Sequence, residues 1–154
     1  MNKFKLLFII LLVGLMTPMQ SCNSTKVTGE TVSLKNSNSG ELSVLASGYG
    51  RNKKSSISNA IENAFRNILL RGIPGSNQST PLLGNQAESV FKDNKRFFED
   101  FLKDGTSGFI LDKNNSKFNF LKINEPSSSI ELLINLSSLR THLTQQGIIR
   151  EFGF

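Results

Sequence analysis

Tryptophan is absent from the 154-residue chain, and cysteine, histidine and tyrosine occur once each. Without tryptophan and with one tyrosine, an aromatic platform for stacking on sugar rings is poorly supported. A lone histidine, His142, has no obvious partner for general acid–base work or metal binding, and the sequence predicts neither a metal site nor a cofactor. No serine stands in a G-x-S-x-G elbow, so catalytic residues are expected to be none. The apolar run from Leu6 to Met16 is also short, because a spanning helix needs about 20 such residues. Neither charge dominates: 18 Lys and Arg stand against 12 Asp and Glu, for a net charge of +6. The basic residues are scattered, which makes nucleic acid a poor partner. The length fits one domain and argues against a multidomain enzyme.

What the chain does have begins at its first residues. Lys3 and Lys5 are the only charges before Cys22, and they precede the apolar run, giving the n-region and h-region of a secretory signal. Pro18 ends any helix there. The segment that follows, Met19-Gln20-Ser21-Cys22, resembles the lipobox of bacterial lipoproteins, with small Ser21 before the cysteine. Met19 stands where that family usually has Leu, and Gln20 where it has Ala or Ser. The resemblance implies cleavage before Cys22, a diacylglycerol on its sulfur and acylation of its new amino group. It further implies a bacterial envelope protein held on a membrane and facing the periplasm. A free thiol and an intermolecular disulfide are the other readings of Cys22. Each buried CH₂ contributes about 0.8 kcal/mol, so several acyl chains hold far more firmly than one. Loss of the two lysines of residues 1–21 lowers the net charge from +6 to +4, which favours anionic head groups or envelope polymers.

Residues 22–40 then read as the lipidated cysteine and a flexible tether rich in Ser, Asn, Thr and Gly, and residues 41–154 as one domain. Glu41 to Gly50 is compatible with a strand centred on Val44 and Leu45. Ile57, Ala60, Ile61, Ala64, Phe65, Ile68 and Leu69 share one helix face, with Ser55 or Ser56 as cap, Gly72 as stop, and Asn59, Glu62, Asn63 and Arg66 on the solvated side. An ordered loop through Gln86, with two prolines and three glycines, precedes a second helix over Ala87 to Lys103. That helix is expected to bury Val90, Phe91, Phe97, Phe98, Phe101 and Leu102. A hairpin is expected from Gly108–Asp112 and Lys117–Asn124 about a polar turn at 113–116. The alternation of Ile130, Leu132, Ile134 and Leu136 marks a further strand, and Ser137 or Ser138 caps a last helix that Gly147 stops. Ile148 to Phe154 reads as an edge strand. The expected fold is α+β, order β-α-α-β-β-β-α, with two or three helices on one face of a small antiparallel sheet.

Ala46-Ser47-Gly48-Tyr49-Gly50 after a strand, a helix through Ala60 and Ala64, and a late strand leading to Leu139, Leu143 and Gly147-Ile148 resemble the Lpp-twenty family and the N-terminal domain of flagellar assembly protein T. The resemblance covers about 80 residues of this chain and implies an envelope assembly or structural component. The loop after Gly72 and the phenylalanine-rich second helix depart from that pattern, and no functional residue is carried over.

Two surfaces stand out as candidates. Gly48, Gly50, Lys53 and Lys54 form a strand-to-helix turn that an anion would suit, although the turn lacks the fingerprint of a phosphate loop. Phe97, Phe152 and Phe154 are the aromatic residues least easily covered, which suggests a protein partner. The first expectation is therefore a noncatalytic, lipid-anchored envelope protein with an envelope protein partner. The alternative is a lipoprotein binding an anion or small ligand between the 48–54 turn and the 73–86 loop. The sequence does not specify the oligomeric state.

Overall fold

The computed structural model describes residues 30–34, 39–119 and 127–150. It is an α+β domain in which a four-stranded antiparallel sheet, ordered β1-β2-β4-β3, carries its helices on one face. The strands are β1 (Thr31–Ser33), β2 (Glu41–Tyr49), β3 (Ile110–Asn119) and β4 (Ser127–Asn135). The helices are α1 (Lys53–Leu70), α2 (Ala87–Asp93), α3 (Lys95–Asp104) and α4 (Leu136–Gln145), with a 3₁₀ turn at Gly105–Phe109.

The two central strands show why one face is covered. Alternate residues Leu42, Val44, Ala46 and Gly48 of β2, and Ser128, Ile130, Leu132 and Ile134 of β4, are buried, because successive strand side chains point to opposite faces. Leu45 pairs with Glu131 and Ser43 with Leu133 on the other face, which is half-exposed. Helix α1 lays Ala60, Ala64, Phe65, Ile68 and Leu69 on the buried face, and Ile57 and Ile61 pack at its margin.

The ends of α1 are fixed by local hydrogen bonds. Its cap is Asn52, not Ser55 or Ser56: the Asn52 side chain accepts from Ser55 N–H at 2.9 Å while Ser55 Oγ accepts from Asn52 N–H at 3.1 Å. This reciprocal box satisfies two donors and adds a polar first turn ahead of the first apolar residue. At the other end Gly72, at φ +75°, takes the left-handed conformation expected of the stop, and both it and Arg71 donate to Asn67 O at 2.8 Å. The loop that follows is ordered, as expected: Leu82 and Leu83 are buried, and their N–H groups donate to Ile68 O and Leu69 O.

Several elements differ from the sequence reading. Thr31–Ser33, assigned to the tether, pairs with Val44–Ala46 as an edge strand. The second helix is broken at Asn94, whose backbone and side-chain N–H groups both donate to Val90 O, at 3.1 and 2.9 Å. An asparagine side chain competing for a helix carbonyl favours a break at that point. Of the apolar residues expected there, Phe98, Phe101 and Leu102 are buried, while Val90, Phe91 and Phe97 are partly so. The stretch 113–116 is no turn. It lies within the continuous strand β3, where the register against β4 shifts between Asn114 and Lys117. The polar residues sit at an irregularity, which a strand accommodates without reversing. Residues 120–124 of the expected second hairpin strand lie outside the described residues.

Helix α4 starts at Leu136 directly after β4, and its cap is Asn135, which accepts from Ser138 N–H at 2.9 Å. Gly147, at φ +68°, ends it. Ile148 and Ile149 fold back, both donating to Leu143 O, so they pack on the core instead of starting an edge strand. Residues 151–154 lie outside the described residues. Asn63, expected on the solvated side of α1, is 1% exposed, and its amide group donates to Ser47 O at 3.2 Å.

Candidate functional site

The turn from β2 into α1 is built by close approach. A Cβ on Gly48 would lie 2.5 Å from Ser56 O and 2.7 Å from the Ala60 Cα, and one on Gly50 would lie 2.5 Å from Ser56 N. Both glycines are therefore required where strand and helix backbones meet, independently of any ligand. Beneath them Ser56 and Ser128, both buried, share a hydrogen bond of 2.6 Å, and Ser56 Oγ donates to Lys53 O at 3.0 Å. Arg51, Lys53 and Lys54 are exposed on the outer side of this turn.

A row of asparagines continues the contact along α1. Asn59 accepts from Tyr49 N–H at 3.0 Å and from the Asn63 amide at 3.1 Å, Asn63 donates to Ser47 O, and Asn67 donates to Thr31 Oγ1 at 2.9 Å. Strand β1 ends opposite Ala46, with Ser47 N–H still donating to Glu30 O. Beyond that point Asn59 and Asn63 take up the edge groups of β2 that a longer β1 would have bonded. A half-covered edge is thereby closed by side chains, which removes a template for further strand pairing. The sequence reading missed this row; its signal was the spacing of Asn59, Asn63 and Asn67, four residues apart and so on one helix stripe.

The 73–86 loop lies at the other end of the molecule. Asn77 donates to Glu41 O at 3.0 Å, and Gln78, buried, accepts from Arg140 at 3.0 Å and donates to Thr80 O at 2.6 Å. Glu41 starts β2 and Tyr49 ends it. The 18 residues of α1 span about 27 Å, so the loop and the 48–54 turn do not form one ligand-sized site. An open depression lined by Leu70, Pro81, Asn85 and Glu88 also belongs to the loop end.

His142 sits among aromatic rings, half-buried, with centroids of Phe109, Phe97 and Phe101 at 5.3, 6.2 and 6.3 Å. Phe97 stacks on Phe101 at 5.9 Å and meets Phe98 edge-on at 5.1 Å, so its ring is engaged within the domain. Arg66, bonded to Glu62 at 2.9 Å, lies over Phe91, which stacks on Phe98 at 4.6 Å. Among the described residues no group of three or more His, Cys, Asp or Glu side chains converges to hold a metal ion. Cys22, Phe152 and Phe154 lie outside the described residues.

No protein-family model, curated protein or solved structure matches the chain.

Proposed function

We propose that this is a noncatalytic, lipid-anchored protein of the bacterial cell envelope that serves as an assembly or structural component of a membrane-associated complex. The observation that carries this reading is the order at the N-terminus: Lys3 and Lys5, the apolar run from Leu6 to Met16, then Ser21-Cys22. The first part is an export signal too short to span, and the single cysteine stands where an acyl anchor is attached. Among the described residues no helix is long and apolar enough to cross a membrane, and a lipid on Cys22 would hold such a domain at the surface. The role in assembly rests on the resemblance of residues 46–50, the helix through Ala60 and Ala64, and Leu139 to Ile148 to small envelope domains.

Intact mass and membrane fractionation of the native protein beside Cys22→Ala, both expressed in the native host, test the anchor. The native chain is expected to lack residues 1–21, carry acyl mass and sediment with membranes, while the variant is released. A soluble native chain with an unmodified thiol would overturn the anchor.

A further inference from the structure

The chain preceding the described fold leaves it at a defined end of the sheet. Ser47 N–H donates to Glu30 O at 2.9 Å, and β1 runs antiparallel to β2. Moving back from Thr31 therefore leads toward Tyr49 and away from Glu41. That end carries the exposed side chains of Arg51, Lys53 and Lys54, and no acid occurs between Tyr49 and Ile61. Among the described residues at this end, Glu30, also exposed, is the carboxylate set against these three basic side chains.

The positions of these charges are unfavourable for the isolated domain. Lys53 and Lys54 open α1, whose first turn holds no acid, and so they add positive charge to the positive end of the helix dipole. An anionic surface reverses the sign of that interaction. Chain length selects which surface. Cys22 is eight residues from Glu30, and a flexible tether of that length would span about 16 Å on average. The basic end is thus the near end, while the 73–86 loop is farther by about 27 Å, the length of α1.

We infer that Arg51, Lys53 and Lys54 form a docking surface for the anionic lipid head groups of the membrane that holds the anchor. The domain then stands with its β2–α1 turn toward the bilayer and presents the 73–86 loop outward. The orientation rests on the acyl anchor at Cys22; the charge pairing is measurable without it.

The test uses the acylated protein in vesicles of phosphatidylcholine alone or with phosphatidylglycerol, reading amine labelling by mass spectrometry. Lys53 and Lys54 are expected to label at least about fivefold more slowly in the anionic vesicles, since one basic side chain near such a surface contributes about that factor. Lys95 and Lys103 on α3, with side chains 71% and 79% exposed, serve as internal references. In a second arm the unacylated mature chain is sedimented with the same vesicles. K53Q/K54Q is expected to lower partitioning into anionic vesicles by about 25-fold, against less than about threefold for K95Q/K103Q with the same change in charge. Equal labelling in the two vesicles, equal losses in the two variants, or protection by inorganic phosphate in neutral vesicles would each overturn the docking surface. A chain without acyl mass overturns the anchor alone, because the sedimentation arm does not depend on it.

Discussion

Along α1 as far as Asn63 the buried side chains are small or polar, Ser56, Ala60 and Asn63, whereas from there on they are Ala64, Phe65, Ile68 and Leu69. The first half lies so close to β2 that Gly48 has no room for a side chain, and it is joined to the strands by Ser56, Asn59 and Asn63. The second half stands over apolar partners, with Phe65 edge-on to Phe101 at 6.0 Å and the buried Leu82 and Leu83 bonded to its last turn. One helix is thus held by two kinds of contact. Where the backbones nearly touch, position depends on fit and on satisfied donors. Where they stand apart, stability follows the apolar area removed from water.

The largest expected effect lies in the apolar half. Phe65 is fully buried, and Phe65→Ala should destabilise the domain by about 3–5 kcal/mol through lost transfer energy and the cavity left behind. The midpoint of urea unfolding measures it. A loss below about 1.5 kcal/mol would mean that this half is not held by burial, since such a loss is typical of a conservative core swap.

A smaller effect is expected from adding one methyl group in the close-packed half. The Cβ of Gly48→Ala would press on backbone atoms of Ser56 and Ala60, which cannot rotate away, and overpacking of this kind costs about 1–3 kcal/mol. Gly108→Ala is the control, because its Cβ would meet nothing within 4 Å; it should fall within about 0.5 kcal/mol of the parent. Equal behaviour of the two variants would remove the distinction between the halves of α1.

The apolar half was legible in the sequence and the polar half was not. The spacing from Ile57 to Leu69 fixes a helix face by periodicity alone, and the alternation through Ile130, Leu132 and Ile134 fixes a strand face in the same way. Asn63, expected on the solvated side, and Ser56, read as a possible cap, are both buried, because their partners, Ser47 O and Ser128, lie 16 and 72 residues away. Asn52 escaped notice as a cap because four polar residues separate it from Ile57, where the apolar stripe begins. The break at Asn94 and the continuity of β3 through 113–116 likewise depend on partners, the Val90 carbonyl and the β4 ladder, that local propensity does not reveal. The basic end was legible as residues. Its place beside the chain leading back to Cys22 required the antiparallel β1–β2 pairing.

The smallest expected effect separates hydrogen bonding from burial at Ser56 and Ser128. Ser56 Oγ lies 3.0 Å from Lys53 O as well as 2.6 Å from Ser128 Oγ, whereas the hydrogen bond of Ser128 Oγ is the one to Ser56. The two hydroxyls are therefore not equivalent. Ser128→Ala leaves Ser56 with a partner and should cost about 0.5–1 kcal/mol, a typical net hydrogen bond. Ser56→Ala strands the Ser128 hydroxyl, 1% exposed, and should cost about 1–2 kcal/mol, the penalty of an unsatisfied buried group. Removing both leaves no orphan, so the double variant should be no less stable than Ser56→Ala, with a coupling of about 1 kcal/mol. Additive losses in urea unfolding would show that the hydroxyls act as packing atoms only, and the two halves of α1 would then differ in side-chain size and in nothing else.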